Sequence, residues 1–126
     1  MSRKNVPVAV STWGLKLGMS RAVRVGDRVI SAGTAAVQAD GAIDPDAARQ
    51  TRYCFEKVMA AFQELGAGPE HVVRTRMYLV DPADFDACAA VHNEFFGAVH
   101  PANTTIQTGL MLPGWKVEVE VEAFVE

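Results

Sequence analysis

Lys116-Val117-Glu118-Val119-Glu120-Val121-Glu122-Ala123-Phe124-Val125 alternates without a break. Val117, Val119, Val121, Ala123 and Val125 fall to one side, and Lys116, Glu118, Glu120 and Glu122 to the other. A period of two belongs to a β-strand, whose successive side chains point to opposite faces of a sheet. The stretch predicts a strand with its valine face in a core and its glutamate face outside it.

Two amphipathic segments upstream can cover that valine face. The first opens at Asp44-Pro45-Asp46, with Asp44 as the expected N-cap and Pro45 at the first helical position. Its stripe runs through Thr51, Cys54, Phe55, Val58, Phe62 and Leu65 in steps of three and four, and Gly66 and Gly68-Pro69 end it. The second starts at Asp81-Pro82, turns Phe85, Cys88, Val91, His92, Phe95 and Phe96 towards the core, and closes at Gly97. Between them, His71 to Val80 is a β-branched run with Arg74 and Arg76 on one face. Towards the N-terminus, Val23 to Val25 and Asp27 to Gly33 flank a Gly26-Asp27 turn, a hairpin signal. Val37 suggests a short third strand, and Gln38-Ala39-Asp40-Gly41 a second turn. Val99-His100-Pro101 is expected to be extended, because a proline pushes its predecessor out of the helical region. Thr104 to Thr108 reads as a short strand and Met111-Leu112-Pro113-Gly114 as a loop. The order β-β-(β)-α-β-α-β-β describes an α+β fold in which both helices cover one sheet face. Residues 1–126 make one domain, with 1–17 as an N-terminal extension or edge segment.

With 126 residues, 49% hydrophobic and 21% charged, the chain has a core to bury. Its formal net charge is −3. Nucleic-acid binders show a basic stripe, and the interleaved Arg21, Arg24, Asp27 and Arg28 do not make one, so nucleic acid is disfavoured as a partner. Met1 to Val10 carries no apolar stretch of the kind a signal peptide needs, and no run of about 18 apolar residues could span a membrane. Cys54 and Cys88 fall on apolar helical faces and read as buried, reduced thiols. A cytoplasmic location is the expectation.

Nucleotide-binding glycine loops, C-x-x-C pairs and H-E-x-x-H are all missing, so no cofactor and no metal are assigned. His71 and His100 sit at element edges, and His92 and Glu94 lie on different helix faces. Glu118, Glu120 and Glu122 share one strand face; Glu120 and Glu122 read as solvated. A carboxylate forced into a cleft would have a raised pKa and could handle protons. Pro101-Ala102-Asn103-Thr104-Thr105 is neutral and rich in short hydrogen-bonding side chains. Trp13 and Trp115 lie near glycines in loops, where an indole walls a small-molecule pocket or plugs a core edge.

Seven segments, in this order, resemble the Rid (YjgF) family: Arg21-Ala22-Val23-Arg24-Val25-Gly26-Asp27, Ser31-Ala32-Gly33-Thr34, Gln50-Thr51-Arg52, Val72 to Asp81, Phe95-Phe96-Gly97, Pro101-Ala102 and Val117-Glu118-Val119-Glu120. The resemblance covers about residues 18 to 125. It implies a chorismate-mutase-like fold: a six-stranded, mostly antiparallel sheet with two helices on one face. It also implies a homotrimer with a central barrel, small-molecule clefts between neighbouring subunits and hydrolysis of reactive enamines and imines without a cofactor. The family's substrate-clamping arginine corresponds to Asn103, its tyrosine to Met19, its cysteine to Thr105 and its water-steadying glutamate to Glu118. The resemblance thus implies an arginine-less member in which Asn103, Thr104, Thr105, Met19, Trp115 and the backbone at Gly33 and Thr34 hold the ligand. Two readings follow, a deaminase-like hydrolase and a metabolite-binding module without turnover; the family's endoribonuclease activity is disfavoured by the charge.

Overall fold

The computed structural model describes residues 2–8 and 12–126. In chain order the elements are β1 (Arg3–Pro7), α1 (Thr12–Leu17), β2 (Ser20–Val25), β3 (Arg28–Ser31), β4 (Thr34–Ala35), α2 (Ala47–Glu64), β5 (Val72–Leu79), α3 (Phe85–Phe96), β6 (Ala102–Gln107) and β7 (Val117–Phe124). The side chain of Trp13 lies outside the described residues, and with it the reading of that indole as a pocket wall.

The alternating stretch is β7, with Val117, Val119 and Val121 fully buried. It pairs with β3 and β4 on one edge and with β5 on the other, so the sheet runs β1-β2-β3-β7-β5-β6, with β4 also on β7. All pairs are antiparallel except β5–β6, where the crossover through α3 brings β6 back parallel. The α+β expectation holds: α2 and α3 pack on the valine face, joining Phe55, Phe62 and Phe96 to Val119 and Val121 in one buried cluster. The sheet has seven strands where six were expected, because Arg3–Pro7 pairs with β2. The third short strand is Thr34–Ala35; Val37 lies beyond it.

Local chemistry accounts for most boundaries and for three departures. Gly26 takes φ 59° in the β2–β3 turn, a conformation other residues resist. The N-cap of α2 is Asp46, which accepts a hydrogen bond from the Arg49 N–H; Asp44 instead accepts from the Asp46 N–H and pairs with the Arg49 guanidinium. Both aspartates suit a cap, and the one nearer the apolar stripe takes it. His100 is left-handed (φ 51°) rather than extended, because its N–H caps α3 at the Phe96 carbonyl before Pro101 begins the next segment. Phe85 is 47% exposed: it sits in the first turn of α3, past the core residues Cys88, Val91 and Phe96.

Gln50 is a fully buried polar residue on the inner side of α2. Its Nε2 donates to the carbonyls of Asp44 (2.7 Å) and Gly114 (2.8 Å), and its Oε1 accepts from the Lys116 N–H (2.9 Å). One side chain thus ties the start of α2 to the entry of β7. Gln50→Leu leaves three backbone groups without that partner and should cost about 2–4 kcal/mol in urea unfolding. Gln63→Leu, on the exposed side of the same helix, should stay within about 0.5 kcal/mol. Equal effects would remove Gln50 as the tie.

Candidate functional site

The sheet face away from the helices is charged. Register sets it: on β5, Arg74 stands opposite Glu122, Arg76 opposite Glu120 and Tyr78 opposite Glu118. Arg76 Nη1 reaches Glu122 at 3.0 Å and Glu120 at 3.5 Å, Arg28 Nη2 donates to Glu122 at 3.0 Å, and the Tyr78 hydroxyl donates to Glu120 at 2.5 Å. Glu120 and Glu122, read from sequence as solvated, are held in this network.

Glu118 is the exception. Its strand neighbours are Tyr78 on one side and Ala35 on the other, neither a cation. No hydrogen bond or ion pair engages its carboxylate among the described residues. The group is half-buried, and burial, then the charge of Glu120, pushes its pKa up. It lies against Gly33 so closely that a Cβ there would stand 3.1 Å from Oε1. Glycine at 33 is what lets the carboxylate settle on the backbone.

The other nominated residues divide. Thr34 is fully buried; its hydroxyl accepts from Arg21 Nη1 and donates to the Ala32 carbonyl, both at 3.0 Å, which commits it to the fold. Half-buried Met19 precedes β2, whose Arg21 carbonyl accepts from the Ala32 N–H next to Gly33. Trp115, also half-buried, enters β7 one residue before the lysine that Gln50 holds. Thr104 accepts from Arg74 Nη2 at 3.1 Å on the charged face.

Asn103 and Thr105 lie on the opposite, helix-bearing face. Asn103 pairs with Thr75, and its Nδ2 donates to Thr75 Oγ1 at 3.0 Å while its Oδ1 accepts from Thr105 Oγ1 at 2.8 Å. Thr75 Oγ1 also lies 2.7 Å from His92 Nε2. One copy of the chain therefore does not bring Asn103 and Glu118 together: they occupy opposite faces, and their partners on β5 are three residues, about 10 Å, apart. Thr75 escaped the sequence reading, and His92 was read as an inward-facing helix residue with no role at a site; the only signal was a histidine in a helix whose other inward residues are apolar.

Cys54 and Cys88 are buried free thiols, and burial pushes the Cys54 pKa up to about 12, far from a reactive thiolate. No helix among the described residues is long and apolar enough to cross a membrane, and no group of three His, Cys, Asp or Glu side chains there could hold a metal ion. A wider, open depression of about 680 Å³ beside Glu56, Met59, Gln63 and Phe95 contains none of the nominated residues.

The profile of the family described as endoribonuclease L-PSP, the YjgF family, matches residues 16–125. The chain belongs to this family. An uncharacterized protein of Streptomyces coelicolor is 41% identical over 118 residues, covering 90% of this chain and 87% of the relative. A YjgF-family crystal structure from Mycobacterium tuberculosis is 34% identical and superposes with a TM-score of 0.89 over 98% of this chain and 100% of that one. A 3-aminoacrylate deaminase, RutC, of Acinetobacter baylyi is 32% identical over 80 residues, 64% of each chain. The family match spans β2 to β7 and both long helices.

A carboxyl whose folded pKa lies above its unfolded value stabilises while protonated, and that contribution is lost as pH rises from the unfolded value through the folded one. Ionised Glu118 should therefore oppose folding at neutral pH. Glu118→Gln should melt at the same or a higher temperature than the parent at pH about 8, with the gap closing below about 4.3, the free glutamate value. A variant less stable at pH about 8 would mean that Glu118 has a stabilising partner.

Proposed function

We propose that this YjgF-family chain forms a homotrimer with small-molecule clefts between subunits, and that it hydrolyses small reactive imines and enamines there. The observation that carries the reading is the state of Glu118: half-buried, without a cation, its pKa raised, and lying against Gly33. A carboxylate so placed is a suitable general base. An enamine first takes a proton on carbon and gives one up from nitrogen to become the imine. Glu118 then accepts a proton from water as the oxygen adds to the imine carbon. That proton passes to nitrogen to give a carbinolamine. Glu118 then takes the hydroxyl proton and returns it to the same nitrogen as the C–N bond breaks, so that ammonia leaves and the carbonyl forms. Asn103 and Thr105 of a neighbouring copy hold the rest of the substrate, which agrees with their distance from Glu118 within one copy. No cofactor takes part in these steps. The partial likeness to a 3-aminoacrylate deaminase supports the same chemistry.

Coverage supports assembly, and the family resemblance supplies the number three. Two helices serve one sheet face, and the other face carries Ile30 (39% exposed), Ile106 (47%) and Phe124 (49%) among its ion pairs. Burying that face against further copies is the economical solution.

Asn103 favours a second reading, a module that binds or senses a metabolite without turnover. The resemblance sets it at the position of the family arginine, where a charge-assisted bond of about 1.5–3 kcal/mol to a substrate carboxylate is lost. Endoribonuclease action fits poorly, since Arg28 and Arg76 are already committed to Glu120 and Glu122.

The test is keto-acid release from 2-iminopropionate generated in place by an amino-acid oxidase. The parent should be slower than an arginine-bearing family member by about tenfold or more, yet above the uncatalysed rate. Glu118→Gln should lose at least about a hundredfold, the typical worth of a general base, while Glu56→Gln on α2 changes nothing. Unchanged turnover in Glu118→Gln would overturn the mechanism, and no turnover in the parent would leave the binding module.

A further inference from the structure

We propose that the pocket between α3 and β6 is a subsite for a small neutral group that can both give and accept a hydrogen bond, such as a primary amide. Asn103 is its contact, and His92 is a positioning residue acting through Thr75. The inference rests on the reading of Asn103 and Thr105 as ligand contacts.

The pocket has a volume of about 150 Å³ and is lined by Met77, Phe85, Ala89, His92, Asn103 and Thr105. That is room for roughly five water-sized groups. The partly exposed Phe85 ring and the two alkyl surfaces provide an apolar wall, while Asn103 and Thr105 provide the polar end. His92 is the one ionisable group in the lining. It is half-buried against the rings of Phe55 and Phe96, with centroids 5.7 and 5.1 Å away, and burial alone pushes its pKa down. Around it α2 contributes Phe55, α3 contributes Phe96 and β5 contributes Thr75. Arg52 of α2 and Glu94 of α3 pair with each other at the surface. The lining is thus uncharged at neutral pH. A carboxylate entering it would give up water and meet no cation, whereas an amide would exchange its hydrogen bonds.

Hydrogen-bond accounting fixes how Asn103 is presented. Thr75 is fully buried, and its hydroxyl stands between His92 Nε2 at 2.7 Å and Asn103 Nδ2 at 3.0 Å. In the tautomer that carries its proton on Nδ1, neutral His92 takes the threonine proton at Nε2, so the threonine oxygen accepts and meets the N–H end of the amide. Thr105, donating to Asn103 Oδ1, requires the same orientation. One N–H and one oxygen lone pair of Asn103 remain for a ligand. Protonated His92 would instead donate to Thr75 and release the threonine proton towards Asn103, where it opposes the amide N–H and works against the orientation that Thr105 supports. Ligand binding should therefore weaken on acidification, as His92 takes up a proton.

The experiment is a nitrogen-labelled NMR titration of the intact protein with propionamide and, separately, propionate, probes of equal size and different charge. At neutral pH propionamide should shift the Asn103 side-chain amide and the Phe85 and Ala89 backbone signals, with about tenfold tighter binding than propionate. Asn103→Arg should reverse that preference. His92→Gln, which can still accept from Thr75 but does not titrate, should bind propionamide as the parent does at neutral pH and lose the weakening on acidification. His92→Phe, which cannot accept, should bind weakly at every pH while its spectrum stays that of a folded protein. A parent that prefers propionate, no shift with either probe, or an acid-induced loss that persists in His92→Gln would each overturn the proposal. Imine turnover with a preference for propionate refutes this subsite and leaves the hydrolase; amide preference without turnover does the reverse.

Discussion

A strand hydrogen-bonded along both edges can send its side chains only above and below the sheet, and β7 is such a strand. Its valines commit one face to α2 and α3. The same pleat commits Glu118, Glu120 and Glu122 to the other, about 7 Å apart. Carboxylates that close, and only partly in water, require cations or proton donors. Arg28, Arg76 and Tyr78 meet two of them. The third faces Tyr78 and Ala35 across its strand neighbours and goes without. Pairing register, not the strand's own sequence, thus singles out Glu118.

What the sequence made legible was what is periodic or local. The two-residue alternation of β7, the three-and-four stripe of α2 and the Gly26-Asp27 turn each carry their signal within a few residues, and each appears in the structure. Single-residue decisions were less readable. Asp44 and Asp46 are the same residue type two positions apart, and only the geometry of the first turn distinguishes them. His100 obeys the end of α3 rather than its proline, and Phe85 sits beyond the core its spacing suggested. The site was half legible. Glu118 could be named from a resemblance, but its isolation depends on contacts to Tyr78 and Ala35, some 40 and 80 residues away in the chain. The Thr75–His92–Asn103 chain joins three elements and has no local signature at all.

The two groups of nominated residues lie on opposite faces of one sheet, and this shapes the functional reading. On the proposed reading Gly33 and Glu118 make a carboxylate half-site at the charged face, while Asn103 and Thr105 make a neutral half-site beneath the edge strand β6. A ligand of a few heavy atoms cannot touch both in one copy. It can do so where the charged face of one copy meets the edge strand of another, and that meeting also covers the side chains that the helices leave exposed. Sheet coverage and site assembly are then the same event. The family match spans residues 16–125 and a YjgF-family structure superposes over 98% of this chain at 34% identity, so the backbone is a shared scaffold although the side chains differ at most positions.

The most direct measurement of this account is the mass of the protein in solution, by sedimentation equilibrium in dilute neutral buffer. The account predicts a single species at three times the 13.6 kDa of one chain. A species at 13.6 kDa that stays folded would leave the charged face uncovered and the two half-sites apart, and would contradict it.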